Sequence, residues 1–152
     1  MDDFEFLPDL IYSNLLVADQ KEAINLLAEL LEENGLVGGD YKKDVLSREE
    51  VFPTGIVVKS GAIAIPHARS SKVFGNGVAV GILEKPVSFH SMEDCNAEID
   101  VEIIMLLAIS ESDKQLKMLQ TIMKMLSKEE FILLLKEKES KEEIAQLLNS
   151  FL

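Results

Sequence analysis

The chain carries two histidines, and their surroundings separate them. His67 lies in Ala62-Ile63-Ala64-Ile65-Pro66-His67-Ala68-Arg69-Ser70-Ser71, where an apolar strand delivers an imidazole to a break in the chain. Pro66 has no N–H to donate to a ladder and keeps Ile65 extended, so the ring is expected at the end of a sheet, where α/β domains place their sites. An imidazole in that position suits phosphoryl acceptance. The chemistry requires a neutral ring nitrogen open to in-line approach and donors for three phosphoryl oxygens, and it proceeds mainly by positioning and charge stabilisation. Arg48 offers a guanidinium fork, Thr54 and Gly55 a hydroxyl and an open backbone, and a helix start near Ser112 and Gln115 offers free N–H groups. Each also has a purely structural reading: a solvated helix arginine, a turn former, half of a capping box. From the residues alone His67 stands equally well as a structural or a functional histidine. His90, in Val87-Ser88-Phe89-His90, alternates away from the apolar Val87 and Phe89 and reads as an exposed histidine at a strand end.

Other site chemistries lack their parts. Gly75-Asn76-Gly77 has no Walker-type lysine and reads as a turn. No His, Cys or carboxylate stands at metal-ligand spacing around His67, so neither a metal nor a cofactor is expected. Cys95 sits in Glu93-Asp94-Cys95-Asn96-Ala97-Glu98, an acidic setting unsuited to a nucleophilic thiolate. A Ser–His–acid hydrolase would need a nucleophile elbow, which is missing.

The elements that must position these residues follow from periodicity. Four helix starts are expected where a capping side chain precedes Glu or Gln by three residues: Asp19/Glu22, Ser112/Gln115, Ser127/Glu130 and Ser140/Glu143. The first opens an apolar stripe of Ala23, Leu27, Leu30 and Leu31 that Gly35 should stop, and a further helix is expected from about Tyr41 to Glu50 before Pro53. Ile11–Val17 reads as an edge strand, and Ile56–Lys59 with Ala62–Ile65 as a hairpin around Ser60-Gly61. Val78–Leu83 and Val101–Ile109 are continuous apolar runs typical of strands covered on both faces, whereas the alternating acids Glu98, Asp100 and Glu102 leave one face wet where the last strand begins. The expected fold is a three-layer α/β domain, a mixed sheet of roughly five strands with helices on both faces.

Bulk properties bound the function. The 152 residues are 47% hydrophobic and 28% charged, which is enough for one domain with its own core, and one domain spanning 1–152 is expected. A net charge of −12 opposes binding to nucleic acid or an anionic membrane and suits basic protein partners. The longest apolar run, Ile103–Ile109, is too short to cross a bilayer, the acidic start MDDFEFLPDL has no secretory pattern, and a single cysteine fits a reducing compartment. A cytoplasmic protein is expected.

Phe52-Pro53-Thr54-Gly55-Ile56 followed by Ala62-Ile63-Ala64-Ile65-Pro66-His67-Ala68 resembles the active segment of enzyme IIA of the sugar phosphotransferase system (PTS), in its fructose/mannitol superfamily and nearest its galactitol-type branch. The likeness continues through Leu83-Glu84-Lys85-Pro86-Val87-Ser88-Phe89, Val101–Ala108 and Gln115-Leu116-Lys117-Met118-Leu119-Gln120, and back through the first helix, so it covers nearly the whole chain as one type-2 enzyme IIA domain. The resemblance implies a cytoplasmic phosphotransferase for sugar or polyol uptake. In it, His67 accepts a phosphoryl group from phospho-HPr as a tele-phosphohistidine and passes it to a cysteine of enzyme IIB, which serves a membrane enzyme IIC. Arg48 matches an arginine expected against the active site, and Gln115 and Thr54 are expected to help hold the phosphoryl oxygens. Mannitol, fructose and nitrogen-regulatory members carry a second histidine where this chain has Gln115, and the galactitol-like branch is similar to this chain in having glutamine. A glutamine amide can donate to a phosphoryl oxygen but cannot titrate. The alternative is a stand-alone regulatory module of the same fold, its phosphorylation state read by a regulator or transporter.

Overall fold

A computed structural model describes residues 4–152. After a single 3₁₀ turn at Pro8–Leu10, the elements run β1 (Ile11–Leu15), α1 (Gln20–Glu33), α2 (Tyr41–Val51), β2 (Gly55–Val58), β3 (Gly61–Ala64), β4 (Gly77–His90), β5 (Glu98–Ala108), α3 (Ser112–Leu126), α4 (Phe131–Lys136) and α5 (Lys141–Ser150). The five strands form one sheet in the order β1-β4-β5-β3-β2. β1 is parallel to β4 and β3 to β5, while β4–β5 and β2–β3 are antiparallel, giving the mixed sheet expected.

The strict alternation of a pleated strand divides the apolar run of β5 between two cores. Ile104, Leu106 and Ala108 face α1 and α2, meeting Ile24, Leu27, Leu31, Tyr41 and Val45. Ile103, Met105 and Leu107 face the C-terminal helices, meeting Met118, Ile122, Phe131, Leu135, Ile144 and Leu148. On the first face the sheet presents Ala62, Ala64 and Ala79, small residues within the core shared with α1 and α2. The acidic start of β5 leaves Glu98 and Asp100 exposed, as the alternation requires.

Two of the four capping boxes form. Asp19 accepts from the Glu22 N–H at 2.9 Å and Ser140 from the Glu143 N–H at 3.1 Å, while each glutamate reaches back to a backbone N–H one residue before its cap. The other two serve differently. Helix α3 is capped at Glu111 without a side-chain bond, and Gln115 is buried instead of returning to the helix start. Ser127 ends α3, its hydroxyl donating to the Lys124 carbonyl at 2.6 Å, because the last turn's free carbonyls need donors as much as a first turn needs acceptors; α4 starts later, behind Glu130. The hairpin also shifts by one residue. Its loop is Lys59-Ser60, and Gly61 already pairs with Val58 as the first residue of β3, at a φ of +153° that favours glycine. Gly35 follows α1 at φ +73°, the expected stop.

Because β3 and β5 are parallel neighbours, their carboxyl ends lie side by side. β3 there leads into Ile65-Pro66-His67, and β5 leads within a few residues into the N-terminus of α3. Topology therefore brings His67 and the start of α3 together.

Candidate active site

Pro66 ends β3, but not all of its pairing. The ladder continues one rung in each direction: the Ile65 N–H donates to the Thr54 carbonyl at 3.4 Å, and the Pro66 carbonyl accepts from the Leu107 N–H at 3.0 Å. His67 leaves the sheet from this braced segment, half-buried, with Nδ1 2.8 Å from the Ile65 carbonyl oxygen. A carbonyl only accepts, so Nδ1 carries the proton and Nε2 keeps its lone pair. The ring's affinity for a second proton is lowered, first by burial and then by the Arg48 guanidinium, against an opposing contribution from the Ile65 bond. His67 is thus a neutral imidazole with a free Nε2.

That ring borders a depression of about 410 Å³. Arg48, in the last turn of α2, and Arg69, just beyond His67, supply two guanidinium groups to its wall. Ser112 and Asp113 bring the first turn of α3, whose leading N–H groups have no intrahelical acceptor. Gln115 adds an amide that is only 8% exposed, and Leu116 and Leu119 give the rim an apolar side, Leu116 being largely exposed. Arg48 lies over the Phe52 ring with its guanidinium carbon 4.5 Å from the centroid, a stacking that limits its freedom. Arg48, Gln115 and His67 therefore share one surface.

Thr54 does not line this depression. It is buried, its hydroxyl donates to Glu49 Oε1 at 2.8 Å, and its N–H donates to Glu49 Oε2 at 2.8 Å. Gly55 is equally committed. It pairs with Ala64, accepts from the Met92 N–H at 2.8 Å, and packs so closely that a Cβ would lie 2.6 Å from the His90 carbonyl oxygen. The Thr-Gly pair braces the hairpin that carries His67, and its polar groups are spent on that task.

Residues beyond the expected set complete the support. The Tyr41 hydroxyl, fully buried, donates to the Leu107 carbonyl at 2.6 Å and accepts from the Ala68 N–H at 3.4 Å, tying the residue after His67 to β5. Asp44 accepts from the Ser70 hydroxyl at 2.7 Å and pairs with Lys72 at 3.4 Å, fixing the loop further on. Arg69, two residues from the imidazole, was visible in the sequence as a cation beside the acceptor. Tyr41 was not, since a tyrosine opening a helix carries no mark of a distant partner. A Tyr41→Phe chain leaves a buried carbonyl and N–H without their shared hydroxyl and should lose about 1–3 kcal/mol, read as a lowered Tm in thermal unfolding. An unchanged Tm would show that the clamp contributes nothing.

A larger cleft of about 810 Å³ lies between α1 and α2, with Glu49, Glu50, Lys42, Lys43 and His90 on its wall. His90 ends β4, half-buried, with Nδ1 2.8 Å from the Cys95 carbonyl oxygen. The cations of this cleft are Lys21, Lys42 and Lys43, point charges without a guanidinium fork, and no arginine lines it, so size does not mark the acceptor site. Glu49 itself is 6% exposed, and burial pushes its carboxyl up to about 7, against the Thr54 bonds and His90, which lower it. Between the ordinary glutamate value of 4.5 and about 7 the folded chain holds a proton that the unfolded chain releases. The stability contributed by Glu49 must therefore fall as pH rises through that window and level off above it, a loss of about 3 kcal/mol from this group, while the lowered proton affinity of His67 acts in the opposite sense. A glutamine reproduces the protonated acid, its carbonyl accepting from the Thr54 N–H and its amide donating to the hydroxyl. Glu49→Gln should flatten this window in urea titrations and exceed the native chain in stability at pH 8; a chain with the native slope would refute the assignment.

No group of three or more His, Cys, Asp or Glu side chains is placed to hold a metal ion among the described residues. No helix there is long and apolar enough to cross a membrane.

Comparison with known proteins gives the family and the fold. Residues 5–151 match the family "Phosphoenolpyruvate-dependent sugar phosphotransferase system, EIIA 2". The galactitol-specific EIIA component of the PTS from Escherichia coli is 25% identical over 112 residues, covering 74% of each chain. The crystal structure of IIA mannitol from E. coli superposes with a TM-score of 0.80 at 24% identity, covering 95% of this chain and 99% of that one. Enzyme IIAMTL of E. coli, in its complex with phosphorylated enzyme IIBMTL, gives a TM-score of 0.81 at 23% identity, covering 97% and 99%. The mixed five-stranded sheet between two helical layers is the fold shared with the two mannitol structures. Bearing that fold and matched over nearly its whole length, the chain belongs to the type-2 EIIA family of the PTS and is a phosphotransferase component of that system.

Proposed function

We propose that the chain carries a phosphoryl group on His67 Nε2 between phospho-HPr and a cysteine of an enzyme IIB, in the cytoplasm, serving uptake of a galactitol-like polyol through a membrane enzyme IIC. The observation that carries the reading is the bond from His67 Nδ1 to the Ile65 carbonyl. It leaves Nε2 as the nucleophile, beside Arg48, Arg69 and the start of α3. In the first transfer the Nε2 lone pair attacks phosphorus as the donor's P–N bond breaks. The proton stays on Nδ1, and the positive charge developing on the ring is met by the Ile65 carbonyl. In the second, a cysteine thiolate attacks phosphorus, the P–Nε2 bond breaks, and its electron pair returns to a neutral imidazole.

Two proteins must reach one nitrogen in turn, which suits a shallow depression with an apolar rim at Leu116 and Leu119. The galactitol assignment draws on the similarity to the E. coli galactitol-specific component and on glutamine at position 115. A glutamine leaves Arg48 and Arg69 as the cations beside the phosphoryl group, without a second titrating ring. Purified chain incubated with enzyme I, HPr and labelled phosphoenolpyruvate should take up one acid-labile phosphoryl group, mapping to His67 Nε2. The label should then pass to the cysteine of a galactitol-type enzyme IIB. Uptake without any onward transfer to enzyme IIB proteins would favour a regulatory module instead.

A further inference from the structure

The groups around the depression touch the Nε2 side of His67. Its opposite face is held from a distance, by a route that begins at Glu49. The Glu49 carboxyl takes both polar hydrogens of Thr54, the N–H at Oε2 and the hydroxyl at Oε1, each at 2.8 Å. Thr54 is thereby fixed at the mouth of the β2–β3 hairpin, just outside the last regular pair, Gly55 with Ala64. Its carbonyl accepts from the Ile65 N–H, adding one rung to the ladder. The same peptide segment presents the Ile65 carbonyl to His67 Nδ1 at 2.8 Å. Four hydrogen bonds, the first two side by side, thus run from a buried carboxyl on α2 to the ring nitrogen that must keep its proton during transfer.

We propose that Glu49 is a positioning residue for His67, setting the ring's tautomer and orientation through Thr54 and Ile65. This rests on the reading of His67 as the phosphoryl acceptor, although its structural half does not. The argument is one of order. The rung from Ile65 to Thr54 is long, at 3.4 Å, and it is the outermost bond between the two hairpin strands, so on the β2 side it loosens unless something holds Thr54, while the Pro66 carbonyl stays tied to Leu107 of β5. Glu49 supplies the pin from within the fold, so its carboxyl contributes neither to the surface nor to the phosphoryl group. Should the rung loosen, the Ile65 carbonyl no longer aims at Nδ1, and the proton can sit on either ring nitrogen. A ring protonated at Nε2 is no nucleophile there. Glu49 lies between His90 of β4, Lys42, Lys43 and Glu50 of α2, and Lys21 of α1 around the neighbouring cleft, but the route needs only its two hydrogen-bond contacts with Thr54 and not its charge.

The test separates position from stability. Nitrogen-15 NMR of the unphosphorylated chain should show His67 with a pyrrole-like Nδ1 and a pyridine-like Nε2. Glu49→Ala should mix the two tautomers and slow phosphorylation by phospho-HPr roughly tenfold or more, with the KM for the donor little changed. Glu49→Gln keeps one acceptor for the Thr54 N–H and one partner for its hydroxyl, and should restore both the tautomer and the rate. Should Glu49→Ala fail to fold, Thr54→Val removes one of the two contacts in a shape the site accommodates, and should still mix the tautomers in part. A folded Glu49→Ala or Thr54→Val chain with the native His67 tautomer would overturn the proposal, as would a slowed reaction without a tautomer change. Because the tautomer is read without any phosphoryl donor, failure of the acceptor assignment would appear separately, as a native tautomer pattern in a chain that takes up no phosphate.

Discussion

A His67→Ala chain should accept no phosphoryl group from phospho-HPr, a fall of at least about a thousandfold against the native chain. The size of the expected effect follows from the site's composition. Arg48, Arg69, Gln115 and the backbone N–H groups at the start of α3 can hold phosphoryl oxygens, but none of them is a nucleophile toward phosphorus. With the imidazole gone, stabilisation remains and nothing is left to stabilise. The substitution should spare the fold. His67 is half-buried in a connecting segment, and its removal gives up one hydrogen bond, to Ile65, for about 1 kcal/mol. Loss of uptake in a chain with a nearly native Tm is therefore the expected pair of results. His90→Ala is the control. Its imidazole reaches the Cys95 carbonyl beside a different cleft, and transfer should proceed at close to the native rate. Acid-labile label persisting in His67→Ala, or vanishing in His90→Ala, would move the acceptor to the other ring.

How far this site was legible in the sequence depends on the range of the interaction concerned. Local signals read well. The apolar strand, Pro66 and the small residues after it place His67 at a sheet end, because proline's missing N–H and the two-residue period of a strand are properties of the segment itself. The two core faces of β5 were implicit in one continuous apolar run, since only a strand covered on both sides tolerates it. Capping boxes were half legible. The pattern of Ser with Glu or Gln three residues on is compatible with a helix start, but whether the serine is free to cap depends on where the chain turns. Ser127 closes a helix, and Gln115 is claimed by the depression.

What was illegible is tertiary. Thr54 has the hydroxyl a phosphoryl site could use, and only the fold shows that Glu49, five residues earlier, has taken it. Glu49 itself looks like any charged residue of a helix surface. The α2 sequence has no clean apolar stripe: Tyr41 and Val45 share the face of Glu49, but Leu46 shares that of Glu50, which is exposed, so spacing alone does not choose between the two glutamates. Tyr41 is hidden for the same reason, its two partners lying in β5 and in the segment beyond β3. The family resemblance supplied Arg48 as a neighbour of the site, and the geometry gives that neighbour two separable effects.

Arg48→Ala should slow phosphoryl transfer to His67 by about a hundredfold or more, and it should also move the acid limb of the pH–rate profile upward. The first effect comes from the guanidinium's planar fork, which matches phosphoryl oxygens and is already oriented by stacking on Phe52. The second comes from its charge. Burial is the larger cause of the lowered His67 proton affinity, and Arg48 adds to it by repelling a second proton. Removing the guanidinium leaves burial in place, so His67 should shift only part of the way back toward an ordinary histidine. Activity requires the neutral ring, so a raised proton affinity makes the rate fall away at a higher pH than in the native chain. Arg48→Lys separates the two effects. An ammonium restores the repulsion, returning the limb toward its native position, yet it lacks the fork and the stacked plane, so the rate on the plateau should stay well below native. A lysine chain with native plateau rate would show that Arg48 acts as a charge alone. An alanine chain with both native rate and native limb would remove Arg48 from the site altogether.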